Sequence, residues 1–398
     1  MTALTYQYSN PSVNFRSSLL PCLGILTVFA LFNFPILAFF IAGALLINLS
    51  RATPDIARRL LGLVLVVAVS MILSSRPISD EGSEDIVGYY YLYEAVRSGD
   101  FEQMFQFGGG IEVGLPLLFY LWGLLLPKLS VNGLMLCLAL TSSVLFWAWV
   151  EVAFYGKNRR GADMALMGAA LLLFNVYLST QLARQFLSMV LLLYAFSATT
   201  TTRRTLFVML AAAFHLTAVL FYGVYLLARR GRLGIVLLIA LVVLSRMYFP
   251  VLLTLLDVLP DALVEKLAYY VDNNSEYTDS DIASLKLIGL LCIISLLATV
   301  ASGFRLDRRT RLWHAIPWVT AVVHLLLLPI PLASLRSTLA VHSVATGLVA
   351  YKMIAQRHRL LLLTIFNVLL LYKLAGFVTL EGDAGLVSTM SVLMNAFQ

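Results

Sequence analysis

Apolar positions dominate this chain in long runs, and short polar breaks divide them. Runs such as Leu60 to Ser75 and Leu285 to Phe304 approach or reach the roughly 20 residues that cross a bilayer core as helix. Leu19 to Leu49 is too long for one span and is interrupted at Asn33-Phe34-Pro35, which predicts two short helices joined by a tight turn. Further spans are predicted at Leu233 to Phe249, Leu312 to Ile330, Pro331 to Tyr351 and Leu360 to Thr379. The expected architecture is an all-α, polytopic membrane protein of about 12–14 membrane segments, a single membrane domain over residues 1–398.

Two stretches read in either of two ways. Val113 to Pro127 is barely long enough to span. Leu206 to Leu227 has spanning length, yet it carries arginine pairs at both ends and His215 in its middle. As simple spans, they place the 157–160 and 203–204 basic clusters outside. As a re-entrant segment and a hairpin broken near His215, they place both clusters inside. The second version obeys the rule that basic clusters stay cytoplasmic. It also implies a central cavity, because non-helical backbone at membrane depth needs protein or water around it.

Charge sharpens the topology. Of the 28 Lys and Arg residues, 18 fall in short clusters between apolar runs: 51–59, 157–160, 203–204, 229–232, 305–311 and 352–359. Such clusters mark the cytoplasmic side. Fifteen of the 21 acids fall in Asp80 to Glu112 and Asp257 to Asp281. Neither window holds a basic cluster, so both are assigned to outer loops, at 77–112 and 250–284. The second has Leu255, Leu256, Leu259, Leu263, Leu267 and Tyr270 at amphipathic spacing, a helix that lies on the membrane. The net charge of +7 is therefore a topology signal and not a nucleic-acid footprint. Cys22, Cys137 and Cys292 are dispersed in apolar runs, an odd set that argues against disulfides and a metal cluster. No cleavable signal is expected, since the first apolar run is about twice the length of a signal core.

The remaining basic residues carry the chemistry. Arg76, Arg184, Arg246 and Arg336 lie inside apolar runs or at their outer ends. An arginine there is expensive without a partner or an anionic ligand. Its planar fork of donors matches phosphate, and several forks at one membrane level suit a lipid diphosphate. Gln181, Arg184, Gln185 and Ser188 repeat at helical spacing and form one polar stripe. Within it Arg184 pairs with an acid from a loop or binds an anion. Asp85, Tyr89 and Tyr93 are spaced by four and share a helical face. A carboxylate with aromatic rings holds sugars, whereas rings alone also form an interfacial belt. Glu112 is flanked by Gly110 and Gly114 where the chain turns back into the membrane. A carboxylate there can take a proton from a sugar hydroxyl. A lone His215 in an apolar run reads as a satisfied core residue on spacing alone.

Taken together, these residues resemble the EpsG/Wzy family of bacterial polysaccharide (O-antigen) polymerases. The marks are Asp85 with Tyr89 and Tyr93, Glu112-x-Gly114, Arg184-Gln185, Phe214-His215 before Thr217, and Arg336. Arg336 with Gly347 also fits an Arg-x10-Gly pattern. Three consecutive tyrosines and a short re-entrant segment depart from the family. The resemblance implies a metal-independent glycosyltransferase, with no cofactor, in the bacterial inner membrane, its site facing the periplasm. It would move a growing glycan from undecaprenyl diphosphate to the nonreducing end of a lipid-linked repeat unit. Glu112, Asp85 and His215 would be catalytic, with Glu112 or Asp85 as the base. Arg184, Arg336, Arg76 and Arg246 would hold the diphosphate, and Tyr89, Tyr93 and Gln185 the sugar. The expected partners are the undecaprenyl-diphosphate-linked oligosaccharide, membrane lipid and a chain-length regulator protein, with no nucleic acid. A lipid-linked oligosaccharide flippase and an O-antigen ligase are the competing readings. A flippase would more often show internal repeats, and none is visible.

Overall fold

The computed structural model describes residues 24–49, 55–78, 85–106, 112–155, 164–230, 232–254, 311–355, 359–380 and 389–397. The described residues form helices and no strand. In chain order they are α1 (Gly24–Asn33), α2 (Pro35–Asn48), α3 (Asp55–Ser74), α4 (Asp85–Arg97), α5 (Phe101–Gln106), α6 (Gly114–Leu125) and α7 (Val131–Tyr155). Next come α8 (Met164–Leu172), α9 (Leu178–Gln181), α10 (Ala183–Ser197), α11 (Thr201–Phe214), α12 (Thr217–Ala228) and α13 (Arg232–Thr254). The last four are α14 (Arg311–Leu327), α15 (Pro331–Ala355), α16 (Arg359–Leu380) and α17 (Thr389–Ala396). Two of them, α3 and α7, are long and apolar enough to cross a membrane, and several shorter ones are apolar. Most of the second acidic window and the 157–160 and 305–309 basic clusters lie outside the described residues.

Side-chain contacts orient the helices without reference to a membrane. At one end, Arg58 of α3 donates to both carboxylate oxygens of Glu151 on α7, at 2.9 and 2.8 Å. The Arg58 guanidinium also lies 3.8 Å over the Tyr155 ring. Trp149 Nε1 donates to Leu193 O on α10 at 2.9 Å, so α7 and α10 finish at this same end. α15 runs toward it too: Asn175 N donates to Ser343 O, and further along Gly347 meets Ala169 of α8 so closely that a Cβ would collide with the Ala169 carbonyl. Small residues let apolar helices approach backbone to backbone, which gives Gly347 a packing role. Arg58, Arg59, Arg203, Arg204, Arg229 and Arg230 thus gather at one end, here called the basic end. Asp85, Glu112, Arg184 and Arg336 lie toward the other, the site end.

His215 breaks its apolar run into a hairpin. α11 ends at Phe214, His215 is extended (φ −158°, ψ 126°), and α12 starts at Thr217. Both arms lie against α10. Phe207 of the first arm stacks on Tyr194 at 5.1 Å, and Tyr225 of the second packs on Phe196 at 4.4 Å. The tip sits at Ser188, whose Oγ donates to His215 O at 3.3 Å. Arg203 and Arg229, at the two free ends, therefore lie on the same side. The Val113 stretch forms a single short helix, as its length predicts. α6 has only 12 residues, about 18 Å at 1.5 Å per residue, short of the ~30 Å hydrocarbon core. It runs parallel to α4, with Tyr93 against Phe119 and Arg97 against Gly123. It finishes beside the start of α7, where Leu129 N donates to Tyr93 Oη.

The run interrupted at Asn33-Phe34-Pro35 forms two short helices, as expected: Phe34 (φ −143°, ψ 86°) separates α1 from α2, and Pro35 opens α2, where its missing N–H costs nothing. Leu31 packs beside the Met71–Leu136 cluster at the far end of α3 from Arg58, whereas Ile47 reaches Gly168. One expectation is corrected: the Gln181–Ser188 stripe is not one helix. Leu182 (φ −117°, ψ 43°) breaks it, leaving Gln181 on α9 and Arg184, Gln185 and Ser188 on α10.

Candidate functional site

The site end is organised around Glu112. Its side chain is fully buried at the foot of α6. Arg184 Nη1, in the first turn of α10, donates to Oε2 at 2.7 Å. Leu216 N at the hairpin tip donates to Oε1 at 3.1 Å, and His215 Nδ1 lies 2.9 Å from the same oxygen. Gly114 lets this happen. A Cβ there would sit 2.9 Å from the Ala213 carbonyl carbon and oxygen, so only glycine admits the tip so close to α6. Arg184 and the Leu216 amide together fix the carboxylate in place. Arg184 is thus the arginine paired with an acid from a loop, and most of its charge is spent inside the protein.

The rest of the site lies on the open side of Arg184. Tyr89 is buried on α4, and its hydroxyl donates to Gln181 O at 3.4 Å. Burial pushes this phenol up to about 12, with Arg184 pulling the other way. Asp85 opens α4, part-exposed and without an ion pair. Burial raises its pKa above the usual carboxylate range, against the opposing charges of Arg336 and then Arg184. Arg336 stands in the second turn of α15, half-buried, and among the described residues its guanidinium makes no hydrogen bond or ion pair. The structure therefore brings Asp85, Tyr89, Glu112, Arg184, His215 and Arg336 together.

The other candidates stand apart or serve the packing. Arg76 lies at the same end, 5.0 Å over the Tyr177 ring. Arg246 is on α13, but its side chain lies outside the described set. Tyr93 is wholly buried. Its hydroxyl accepts from Leu129 N at 3.2 Å and from Arg97 Nη1 at 3.3 Å, and its ring packs edge-on against Phe119. Gln185 faces the helix interior and is 5% exposed. Sequence reading missed the Leu216 amide, since no pattern marks a backbone donor. It also missed the Arg58–Glu151 pair, although an acid inside the apolar run of α7 was the available signal.

Comparison with known proteins adds one finding. No curated protein and no solved structure matches the chain. Residues 59–387, which hold every residue of the cluster just described, match the family described as the EpsG family. The chain therefore belongs to the EpsG family, the family of Wzy-type polymerases.

Proposed function

We propose that this membrane protein is a polysaccharide polymerase. It transfers a growing glycan from undecaprenyl diphosphate to the nonreducing end of a lipid-linked repeat unit, at the periplasmic face of the bacterial inner membrane. Arg336 carries this reading: a half-buried guanidinium with no hydrogen bond or ion pair among the described residues, close enough to Asp85 for each charge to act on the other. An unpaired arginine in such a place favours an anionic ligand, and its fork fits a diphosphate. In the reaction, the acceptor hydroxyl oxygen bonds to the anomeric carbon of the growing chain. The bond from that carbon to the diphosphate oxygen breaks. Asp85 takes the hydroxyl proton, and Arg336 meets the charge that develops on the leaving diphosphate. Glu112 is assigned to positioning, because its oxygens already hold Arg184 and the hairpin tip.

Purified protein in nanodiscs with a defined lipid-linked repeat unit tests this. Wild type should give a polymer ladder, and failure to do so would remove the polymerase reading. Arg336→Ala should reduce elongation to a small residual rate at unchanged Tm. Arg336→Lys should recover little, since a point charge does not reproduce a bidentate fork. A full ladder from Arg336→Lys would sink the fork.

The orientation assigned here, with 12–14 segments and the basic end cytoplasmic, has its own check. In a background without Cys22, Cys137 and Cys292, an impermeant thiol reagent applied to the periplasmic side should label Asp100→Cys and spare Arg203→Cys. Labelling at 203 would rule out the re-entrant hairpin as placed.

A further inference from the structure

Helices α10, α12, α14 and α15 meet around a small apolar cavity whose walls include Met189, Phe196, Phe221, Val319 and Val341. One helical turn toward the site end, three of these helices carry a polar residue on the same face. Gln185 precedes Met189 by four residues, Thr217 precedes Phe221, and Ser337 precedes Val341. Positions four apart lie one above the other on a helix, so the three form a layer directly above the cavity. Gln185 Oε1, Thr217 Oγ1 and Ser337 Oγ are all buried, and none has a protein hydrogen-bond partner among the described residues. Gln185 is 5% and Ser337 1% exposed. Each also adjoins a site residue in the chain: Gln185 follows Arg184, Thr217 is two past His215, and Ser337 follows Arg336.

A folded protein seldom leaves buried polar atoms unpaired, and such groups mark a role or a missing partner. Three in one layer, next to the cationic site and above an apolar cavity, suit a ligand with hydroxyl groups. We propose that the layer is a subsite for the neutral hydroxyl face of the sugar attached to the lipid diphosphate. Gln185 Oε1 accepts from a sugar hydroxyl, and the Thr217 and Ser337 hydroxyls donate to or accept from others. The three oxygens are uncharged, so the diphosphate itself stays with Arg336. α12 is the second arm of the hairpin, and Thr217 stands at its start, next to the tip. The assignment rests on the polymerase reading only for what carries the sugar.

Apolar replacements of similar shape separate binding from structure. Gln185→Met, Thr217→Val and Ser337→Ala are combined, and Ser337→Ala, which removes a single oxygen, is also made alone as the variant least able to disturb folding. In nanodiscs, the substrate-free Tm should hold or rise, since removing unpaired polar atoms relieves a penalty. The ligand-induced Tm shift should show the lipid-linked repeat unit binding the triple variant at least about tenfold more weakly, the loss of a few neutral hydrogen bonds. Undecaprenyl diphosphate without sugar should bind both proteins equally. Wild-type affinity for the repeat unit in the triple variant, or an equal loss for the sugar-free diphosphate, would overturn the subsite. A fall in substrate-free Tm with unchanged binding would assign the layer to structural water instead. Elongation is read separately: a wild type that binds the repeat unit through this layer but does not extend it would remove the polymerase reading and leave the subsite.

Discussion

Asp85→Asn is expected to cut elongation by about 10²–10⁴-fold, the usual loss with a positioned base, at nearly unchanged affinity for the lipid diphosphate. Asp85 differs from Glu112 in being available. It makes no ion pair and stands part-exposed at the start of α4. Burial lifts its pKa, and Arg336 and then Arg184 hold it back. A base works in its ionised form, so the rate falls as pH drops through the raised pKa. The acid limb of kcat/KM should then lie at higher pH than an ordinary carboxylate gives. Arg336 is the larger of the two charges that lower this pKa, so the residual activity of Arg336→Ala should lose its acid limb at still higher pH. Near-normal elongation by Asp85→Asn, or an acid limb that stays put in Arg336→Ala, would take Asp85 out of the chemistry. Asp85 also meets the α4 N-terminus, a favourable but small contact of about 0.3–1 kcal/mol, so Tm should move little.

The parts of this architecture that sequence made legible are those set by charge and length. Arginine pairs at both ends of one apolar run, with His215 midway, pointed to a hairpin because a simple span puts one pair on the wrong side. Short length marked α6 in the same way. Asn33-Phe34-Pro35 likewise marked the break between two short helices, where Phe34 is non-helical and proline takes the first helical position. A local signal misled elsewhere. The Gln181–Ser188 periodicity was real, but periodicity does not see a single non-helical residue such as Leu182. Tyr89 and Tyr93 share a face, and only tertiary contacts separate them: the Tyr93 hydroxyl is taken by Leu129 N, while Tyr89 sits beside Arg184. The pairing of Arg184 with Glu112 spans 72 residues, so no pattern along one helix reports it.

That pairing makes the second large prediction one of stability. Arg184→Ala should destabilise the protein by about 3–5 kcal/mol, the cost of leaving a buried charge without its partner. Glu112 has no exposed surface from which to recruit water; the Leu216 amide also donates to it, and His215 Nδ1 lies 2.9 Å from Oε1. Glu112→Gln should cost less, about 1–3 kcal/mol. The amide oxygen still accepts from Leu216 N, and Arg184, 26% exposed, keeps partial hydration. Glu112→Gln with Arg184→Ala should then be more stable than Arg184→Ala alone, because no unpaired charge remains. Unfolding of the four proteins in nanodiscs closes the double-mutant cycle, and groups in direct contact couple by about 0.5–3 kcal/mol. The hairpin should report the same ranking locally, since Glu112 ties its tip to α6 and α10. A cysteine at Leu216, protected in wild type, should react fastest with Arg184→Ala. Additive losses across the cycle, with Glu112→Gln fully folded yet inactive, would reverse the assignment: Glu112 would then be the base, and the clamp on the hairpin tip would lie elsewhere.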